Sequence, residues 1–304
     1  MIENRLKGVI MKILITGKHS YIGTCFAEYV KGCEGIETEM MSMRGDEWKS
    51  ADFTGFDSIL HVAGIAHADV EHTSEDEQKR YYEVNCDLAY DCALKAKESG
   101  VGQFIYLSSM LVYPNAAKLG TSNMITADTP LKPDNFYGDS KVKAEEKLAT
   151  LKDDFFKIVI LRPPMIYGKG SKGNYAMLRK FALKLPLFPD IANERSMLYI
   201  ENLCEFIRLM VKNGEDGVFF PQNAKYSNTS EMTRQIALVH GKKLKLTKIF
   251  NPCIKLLGHT GGKYGKMVCK AFGSLTYDMA MSEYRENYCA VGFEESIKRT
   301  EQPD

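Results

Sequence analysis

The stretch Lys12 to Gly23, which reads KILITGKHSYIG, limits the possible folds of this chain more than any other. An apolar run ends in Thr16-Gly17 and an apolar-periodic segment begins at Tyr21, which predicts a buried strand, a tight turn and a helix start. Gly17 lets the chain reverse, and Gly23 lets the first helical turn lie close to the strand. Because a helix N-terminus offers free N–H groups and a positive dipole end, this turn predicts a phosphate site.

Strand and helix patterns alternate after this stretch, which predicts a mainly parallel sheet with helices on both faces. Further strands are predicted at 37–43, 58–62, 103–107 and 157–161, and helices at 21–31, 77–98 and 141–151. The expected fold class is therefore α/β, a doubly wound parallel sheet. The loop 114–133 is rich in Pro, Asn, Thr and Asp, and its length predicts a lid or substrate loop.

The pattern becomes less regular after Arg162. Prolines and glycines interrupt residues 163–173, and the sequence then predicts helices at 175–184 and 202–211 and a late strand at 217–220. We assign residues 11–167 to the doubly wound domain. Residues 168–304 are assigned mainly to a smaller, mostly helical substrate lobe, with some crossings back to the sheet.

Composition excludes several classes of protein. The net charge of +1 gives no global field that would attract nucleic acid. The eight cysteines include no C-x-x-C pair and no Cys/His cluster at zinc spacing, which predicts no metal site and fits a reducing cytoplasm. No signal peptide and no long apolar run is visible, so we expect a cytoplasmic chain without a transmembrane segment.

The chemistry is predicted to lie in the sequence YGDSK, where Tyr137 and Lys141 are four residues apart on a helix and so point to one side. A lysine ammonium beside a phenol is expected to lower the phenol pKa. Such a tyrosine can exchange a proton with a sugar hydroxyl while hydride leaves or returns to the same carbon. Ser109 follows the strand 103–107, at the edge where open sheets bind ligands.

Tyr-x-x-x-Lys also occurs by chance in many helices, and the spacing alone favours that interpretation. The preceding strand with its two serines and the glycine turn near the chain start favour the catalytic one. With these segments the chain resembles the extended short-chain dehydrogenases, the NAD-dependent epimerase/dehydratase family that acts on nucleotide-activated sugars. The resemblance extends over nearly the whole chain from Met11 and rests on ITGKHSYIG, HVAG, YLSSMLVY, YGDSK, LRPPMIYG and ERSMLYIENL. One departure is that Ser20 replaces the middle glycine of the turn.

The resemblance implies a bound nicotinamide dinucleotide, a sugar diphosphate substrate and a homodimer. It implies a catalytic group of Ser109, Tyr137 and Lys141, with Ser109 also touching the substrate, and diphosphate-sugar contacts at Asn174 and Arg195. Tyr137 and Lys141 would also touch the cofactor. The further cofactor contacts that it implies are Gly17, Ser20, Tyr21, Ile22, Gly23, Asp52, Phe53, Ala63, Gly64 and Pro163.

Several of these residues have plainer interpretations. Asn174 could equally cap the helix that follows it. Arg195 could be a surface arginine, although its planar fork suits a diphosphate. His67 is better explained as a polar loop residue than as part of a sugar pocket, and His61 as a packed core residue.

The choice between NAD and NADP stays open. NAD-specific sites place an acidic residue at the end of the second strand, where this chain has Ser42. Arg44 could pair with a 2′-phosphate and Lys18 could assist, which favours NADP. Alternatively, Arg44 is a solvated loop charge and Ser42 bonds the ribose of NAD.

Three functions follow from this pattern. The favoured one is a 4-epimerase of a nucleotide- or lipid-diphosphate sugar, and the alternative is a 4-keto-sugar reductase that uses the same residues. A dinucleotide-binding regulator without turnover is disfavoured, because it has no need for an acid–base pair. Dehydration is also disfavoured, since Met110 follows Ser109 where a dehydratase would want a carboxylate.

The stretch Asn251 to Phe272 mixes apolar residues with lysines. Such a stretch could lie on an anionic membrane and present a lipid-linked sugar to the site. Its interrupting glycines favour the other interpretation, in which the apolar residues pack the substrate lobe.

Overall fold

The computed structural model describes residues 10–66, 73–114, 119–260 and 262–302, apart from the side chain of Lys263. Two compact units divide the chain. The first comprises Met1–Val112, Leu131–Arg162 and Cys204–Phe219, and the second comprises Tyr113–Pro130, Pro163–Leu203 and Phe220–Asp304.

Six parallel strands form the sheet of the first unit. They are β1 (Met11–Thr16), β2 (Ile36–Met41), β3 (Ser58–His61), β4 (Gln103–Leu107), β6 (Lys157–Leu161) and β10 (Gly217–Phe219). Their order is β10-β6-β4-β3-β1-β2, and every neighbouring pair is parallel. The predicted doubly wound sheet is confirmed, and the order reverses between β1 and β3. Open α/β sheets bind ligands at such a switch point.

The helices of this unit are α1 (Tyr21–Val30), α2 (Glu47–Ser50), α3 (Glu75–Tyr82), α4 (Leu88–Glu98) and α5 (Phe136–Ala149). Helices α2, α4 and α5 contribute Trp48, Ala89 and Leu148 to a core that also contains Leu14 and Phe104. Central strands of a parallel sheet are covered on both faces and therefore read as continuous apolar runs. This explains why β1 ends in four buried residues and β4 is buried throughout.

The predicted helix 77–98 is interrupted. A capping box of Ser74 and Glu77 starts α3, and a π-helical segment, Glu83–Asp87, separates α3 from α4. The wider turn carries Asn85 into the interior, where it is fully buried. Such π segments are frequent at functional sites.

The second unit holds the remaining elements. Its helices are α6 (Asn174–Lys184), α7 (Ile200–Lys212, which belongs to the first unit from Cys204 on), α8 (Thr229–Val239), α9 (Asn251–Gly258), α10 (Lys263–Phe272) and α11 (Phe293–Glu301). Its strands pair in twos, β7 (Met165–Tyr167) with β9 (Met197–Tyr199), β8 (Leu187–Pro189) with β11 (Lys245–Thr247), and β5 (Met124–Ile125) with β12 (Thr276–Tyr277).

Part of the predicted loop 114–133 forms a strand, β5. Its strand β5 pairs in parallel with β12, and the amide of Thr276 donates to the carbonyl of Asn123 at 3.0 Å. Because β12 lies about 150 residues further along the chain, no local pattern could reveal this pairing.

All eight cysteines are free thiols. Within the described ranges no helix is long and apolar enough to cross a bilayer. The same part of the chain contains no cluster of His, Cys, Asp or Glu that could hold a metal ion.

Candidate active site

The turn after β1 is built so that only glycine fits at its first position. Gly17 has a φ of +109°, and a Cβ there would lie 2.9 Å from the amide nitrogen of Ala63. The amides of Gly17 and Lys18 both donate to the carbonyl of Met41, at 2.8 and 3.0 Å. The turn is thereby fixed against the ends of β2 and β3, at the carboxyl edge of the sheet.

Ser20, which stands where related turns have a glycine, caps α1. Its hydroxyl accepts a hydrogen bond from the amide of Gly23 at 2.9 Å. A Cβ at Gly23 would lie 2.9 Å from Cγ2 of Ile15, so this glycine lets the helix approach the strand. The amides of Tyr21 and Ile22, in the first turn, have no acceptor within the helix. Although Ser20 replaces a glycine, the turn therefore still presents amide groups that fit a diphosphate.

The ribose edge beyond β2 is open to solvent. The amide of Arg44 donates to the hydroxyl of Ser42 at 3.2 Å, while the side chains of Arg44 and Lys18 are exposed. This arrangement offers a hydroxyl and two cations, but no carboxylate, near the end of β2. It therefore stays compatible with both NAD and NADP.

The two residues predicted beside the adenine differ in exposure. Asp52 is exposed, and hydrogen bonds from the hydroxyl and amide of Thr54 lower its pKa. Phe53 is fully buried, with Nζ of Lys95 5.1 Å from its ring centroid. The ring of Phe53 therefore belongs to the core, and only Asp52 offers its side chain at the surface.

We expect the substitution Arg44→Ala to weaken NADP(H) binding selectively if Arg44 contacts a 2′-phosphate. The expected loss is about 1.5–3 kcal/mol, the contribution of a hydrogen bond to a charged group. Fluorescence titration with both dinucleotides measures it. Arg80→Ala, a change at an exposed arginine on α3, is the control. Equal losses of NAD(H) and NADP(H) affinity would make Arg44 a solvated loop charge.

Ser109 and Tyr137 meet at the carboxyl edge of β4. The Ser109 hydroxyl lies close enough to the phenol of Tyr137 to lower its pKa. Their proximity depends on Gly138, because a Cβ there would lie 2.2 Å from the carbonyl oxygen of Leu111. Asn135 caps α5 by accepting from the amide of Gly138 at 2.9 Å. The glycine in YGDSK thus brings the start of α5 against the segment that carries Ser109.

Lys141 lies one helical turn beyond Tyr137 and is buried, with a relative exposure of 5%. Its ammonium donates to the carbonyl of Leu107 at 2.7 Å and lies 4.5 Å from the ring centroid of Tyr106. Burial lowers the pKa of Lys141 to about 7, although the nearby Glu145 carboxylate opposes this shift. Lys141 can therefore gain or lose a proton near neutral pH.

The expected lowering of the Tyr137 pKa is wrong for this structure. Burial raises the pKa of Tyr137, and the Ser109 hydroxyl only partly offsets this effect. The reason is that the ammonium of Lys141 is directed at the Leu107 carbonyl rather than at the phenol.

Asn85 is a residue that the sequence analysis missed. Its amide oxygen accepts from the amide of Ile65 at 2.8 Å, and its amide nitrogen donates to the hydroxyl of Ser140 at 3.1 Å. It therefore joins the segment after β3 to the helix that carries Tyr137 and Lys141. Gly64 allows this close packing, because a Cβ there would lie 3.1 Å from Oδ1 of Asn85 and 3.6 Å from Nζ of Lys141. The available signal was an asparagine close to the apolar residues Tyr81, Cys86 and Ala89 of the predicted helix.

A buried ion pair between Arg162 and Glu145 joins the end of β6 to α5, and the sequence did not predict it. Nε of Arg162 donates to both oxygens of Glu145, at 3.1 and 3.2 Å, and the hydroxyl of Ser108 donates to the same carboxylate. Glu145 lies one turn beyond Lys141. Breaking such a pair strands a buried charge, so these residues hold the helix in place.

His61 adds little charge to this region. Its Nδ1 and the hydroxyl of Thr16 share a hydrogen bond of 2.8 Å, and its ring stacks on Phe104. Burial lowers the pKa of His61 to about 3, with a smaller contribution from Lys141. The imidazole is therefore neutral near pH 7, and the interpretation of His61 as a packed core residue is confirmed.

The residues predicted to bind the substrate diphosphate lie in the second unit. Asn174 does not cap α6: Gly173, with a φ of +91°, holds the N-cap position and Asn174 is the first helical residue. Nη1 of Arg195 donates to the carbonyls of Lys270 and Gly273, both at 3.0 Å, and burial lowers its pKa. Arg195 is therefore anchored rather than a free surface charge. Pro163 is buried directly after β6, and His67 lies outside the described residues.

A doubly wound parallel sheet, a glycine turn after its first strand and a Ser-Tyr-Lys group define the short-chain dehydrogenase class of nicotinamide-dependent proteins. Residues 13–220 match the model of the NAD dependent epimerase/dehydratase family. The chain belongs to this family, whose enzymes use a nicotinamide dinucleotide.

Two relatives have similar lengths. The UDP-glucose 4-epimerase of Vibrio cholerae is 28% identical over 290 residues, which are 88% of this chain and 87% of the relative. The N-acetyl-alpha-D-glucosaminyl-diphospho-ditrans,octacis-undecaprenol 4-epimerase of Escherichia coli O157:H7 is 28% identical over 303 residues, which are 92% of this chain and 86% of the relative. The name of the first relative specifies a nucleotide-linked sugar, and the name of the second specifies a lipid-linked sugar.

Solved structures confirm the fold. The UDP-glucuronic acid 4-epimerase from Bacillus cereus in complex with NAD has a TM-score of 0.70 and 16% identity, and the match covers 95% of this chain and 97% of that one. The dTDP-4-dehydrorhamnose reductase from Bacillus anthracis in complex with NADP has a TM-score of 0.67 and 17% identity, with coverage of 96% and 99%. One neighbour holds NAD and the other NADP.

Proposed function

We propose that this protein is a 4-epimerase of a nucleotide- or lipid-diphosphate sugar. The observation that carries the proposal is the contact between the hydroxyls of Ser109 and Tyr137, with Lys141 one turn further along the same helix. These groups lie at the carboxyl edge of the sheet, as does the amide cradle after β1. Side chains that can exchange protons therefore lie at the same sheet edge as the proposed dinucleotide site.

The proposed roles follow from the position of each group. A dinucleotide held at the amide cradle of Tyr21 and Ile22 would supply the acceptor and donor of the hydride that leaves the sugar carbon and returns to the opposite face of the ring. The phenol oxygen of Tyr137 takes the proton of the sugar hydroxyl and gives it back. The Ser109 hydroxyl shares the sugar oxygen and keeps it aligned with the phenol. Proton exchange of this kind contributes about a hundredfold to ten-thousandfold in rate.

Burial tunes the Tyr137–Lys141 pair in opposite directions. It raises the pKa of Tyr137, so the resting phenol keeps its proton. It lowers that of Lys141 to about 7, so the neutral amine can take the phenol proton before the phenol oxygen accepts the one from the sugar hydroxyl. A lysine near its midpoint can accept a proton from the interior without a large change in free energy. We infer that Lys141 is the local proton reserve for Tyr137 as well as a contact of the cofactor.

An epimerase must hold the diphosphate while the keto sugar turns over. Arg195 and Asn174 are the proposed anchor. The guanidinium of Arg195 is oriented by two carbonyls through Nη1, and this leaves Nε and Nη2 as its further donors. Positive φ angles at Gly168, Gly170 and Gly173 (158°, 77° and 91°) give the intervening loop conformations that other residues avoid. We propose that this loop admits and encloses the donor.

The alternative is a 4-keto-sugar reductase with the same catalytic group. The exposed cations Arg44 and Lys18 favour it, because NADPH is the usual reductant and the end of β2 carries no carboxylate. A reductase exchanges its cofactor in each turnover, whereas an epimerase retains it. Identification by mass of any dinucleotide released from the purified protein is therefore a first test.

The deciding assay gives the purified protein UDP-glucose, UDP-N-acetylglucosamine or a polyprenyl-diphosphate N-acetylglucosamine, without added reductant. Interconversion of 4-epimers with no net change in nicotinamide absorbance supports the epimerase. Stoichiometric consumption of NADPH on a 4-keto sugar, without interconversion, supports the reductase. Binding of dinucleotide without either reaction would favour a regulator.

We also infer a homodimer from the family resemblance. Static light scattering of the purified chain measures its mass, and a value that matches 34.3 kDa would contradict the dimer.

A further inference from the structure

The charge of this chain is unevenly distributed. Between Glu231 and Asp278 the sequence contains neither aspartate nor glutamate, whereas eight lysines lie between positions 242 and 270. The whole chain has a net charge of only +1. We call residues 242–270 the basic segment; it contains β11, α9 and all but the last two residues of α10, in the second unit.

Large apolar side chains of the basic segment are exposed. The relative exposures are 80% for Ile249, 72% for Leu256, 70% for Tyr264 and 53% for Met267. The interpretation that the apolar residues of the stretch 251–272 pack the substrate lobe is therefore wrong for Leu256 and Met267. Exposed apolar side chains that cluster in one segment mark an interaction surface.

The two helices of the segment pack on each other through their small residues. The thiol of Cys269 on α10 lies 3.4 Å from the carbonyl oxygen of Gly258 on α9. Gly265 is buried, and a Cβ there would lie 1.8 Å from the carbonyl oxygen of Thr260. Because Gly265 and Phe272 face inward, the other side of α10 carries exposed Tyr264 and Met267 together with exposed Lys270.

We propose that the basic segment is a docking surface for an anionic phospholipid bilayer. Interfacial helices combine exposed apolar side chains, which enter the headgroup boundary, with lysines that meet anionic headgroups. The core of a protein–protein interface is depleted in lysine, so the composition favours lipid over a second copy of this chain. Lys248 and Ile249 are adjacent in sequence, as are Lys255 and Leu256, which gives the segment two such mixed pairs.

The basic segment is linked directly to a proposed substrate contact. Nη1 of Arg195 donates to the carbonyls of Lys270, near the end of α10, and of Gly273 just beyond it. Asn193, two residues earlier, also donates to Gly273, and Thr229 donates to the carbonyl of Ala271. The end of α10 is thereby fixed beside the arginine that is proposed to bind diphosphate.

The position of α10 beside Arg195 points to a class of substrate, and this part of the inference rests on the proposed function. A polyprenyl-diphosphate sugar carries its diphosphate at the bilayer surface, where Arg195 would meet it if α10 lay on the same surface. A nucleotide sugar needs no such surface. The substrate class is therefore a lipid-diphosphate sugar, presented by the membrane to which the segment binds.

The test is sedimentation of the full chain with vesicles of phosphatidylcholine and phosphatidylglycerol in equal parts, against phosphatidylcholine alone. We expect binding to the anionic vesicles that is lost at about 0.5 M salt, where the Debye length falls to a few ångströms. Lys248→Gln/Lys255→Gln should weaken vesicle binding about 25-fold, since each lysine contributes about fivefold. Ile249→Ser/Leu256→Ser should also weaken it, but with less dependence on salt.

Matched controls lie in the first unit. Lys31→Gln/Lys79→Gln removes two exposed lysines, and Phe155→Ser removes an apolar side chain that is 90% exposed. Both controls should bind vesicles like the unaltered protein. Equal sedimentation with both vesicle types, or equal losses in controls and variants, would overturn the proposal. Conversion of a dimer to a monomer by Ile249→Ser/Leu256→Ser, seen by light scattering, would reassign the surface to a second copy of the chain.

Turnover separates this proposal from the proposed function. The Ile249→Ser/Leu256→Ser variant should keep its activity on a soluble UDP-sugar, if it has any, and lose activity on a polyprenyl-diphosphate sugar in vesicles. Epimerase activity without vesicle binding refutes the docking surface alone. Vesicle binding without epimerisation of any donor refutes the proposed function alone.

Discussion

Replacement of Tyr137 by phenylalanine is expected to lower turnover about a hundredfold or more while dinucleotide affinity changes little. The change removes only the phenol oxygen, which is the proposed proton acceptor and donor and which Ser109 contacts. General acid–base catalysis contributes rate enhancements of at least about this size. The ring remains to pack against Tyr81, 6.3 Å away between centroids, so the fold should persist. Steady-state turnover and fluorescence titration of the dinucleotide measure the two effects separately.

Tyr82→Phe is the matched control for this prediction. The hydroxyl of Tyr82 donates to Asp139 on the same helix at 2.8 Å. The variant therefore loses one partly buried hydrogen bond but none of the groups proposed to transfer the proton. It should retain most of the activity. Near-normal turnover of Tyr137→Phe would remove the tyrosine from the mechanism, whatever the control shows.

Replacement of Lys141 by methionine is expected to lower turnover by a similar factor and also to weaken dinucleotide binding. The reason is that this lysine is proposed both to exchange a proton with Tyr137 and to contact the cofactor. A second, independent effect concerns stability without dinucleotide. The pKa of Lys141 is about 7 in the folded chain and 10.5 as its reference value. Between these values the unfolded chain holds the proton that the folded chain has lost, so the stability of the unaltered protein rises with pH there.

The Lys141→Met variant lacks this contribution. Relative to the unaltered protein, it should be most stabilised below pH 7, and the difference should shrink as pH rises towards 10. The slope is at most about 1.4 kcal/mol per pH unit. Urea unfolding at several pH values measures it. Lys143→Met, two residues along α5, is the control, since the Asp139 carboxylate raises the pKa of that exposed lysine. A pH-independent difference for Lys141→Met would mean that Lys141 keeps its proton in the folded state.

Much of the fold of the first unit could be predicted from local patterns. The apolar runs of β1, β4 and β6 and the helices between them were visible, because a parallel sheet is covered on both faces and its central strands must be apolar. The strand order was not readable from these patterns. It depends on which strands meet across the sheet, for example β10 with β6, and that is a long-range choice.

The irregular part of the chain shows the same limit. Length and composition predicted a lid or substrate loop at 114–133, and they gave no sign that β5 within it pairs with β12. A two-residue strand has too few positions to show a period, so no sequence pattern could identify it. The assignment of residues 11–167 and 168–304 to separate roles stays a prediction.

The candidate site divides in a similar way. Ser109, Tyr137 and Lys141 were predicted from spacing and resemblance, whereas Asn85 and the Glu145–Arg162 pair were not, because their partners are distant in sequence. The direction of the Tyr137 pKa was also predicted wrongly. Spacing places a lysine beside a tyrosine, but only the fold decides that Nζ turns to the Leu107 carbonyl.

Local sequence is enough to specify the glycine turn, the alternation of strands and helices, the Tyr-Lys spacing and the absence of acidic residues from 232 to 277. These features are local, and each follows from backbone freedom, side-chain periodicity or charge along a short stretch. The burial of Lys141 and the exposure of Ile249 and Leu256 depend instead on tertiary packing. Burial is set by what packs against a residue from elsewhere in the chain, and both the proton chemistry and the proposed membrane surface depend on it.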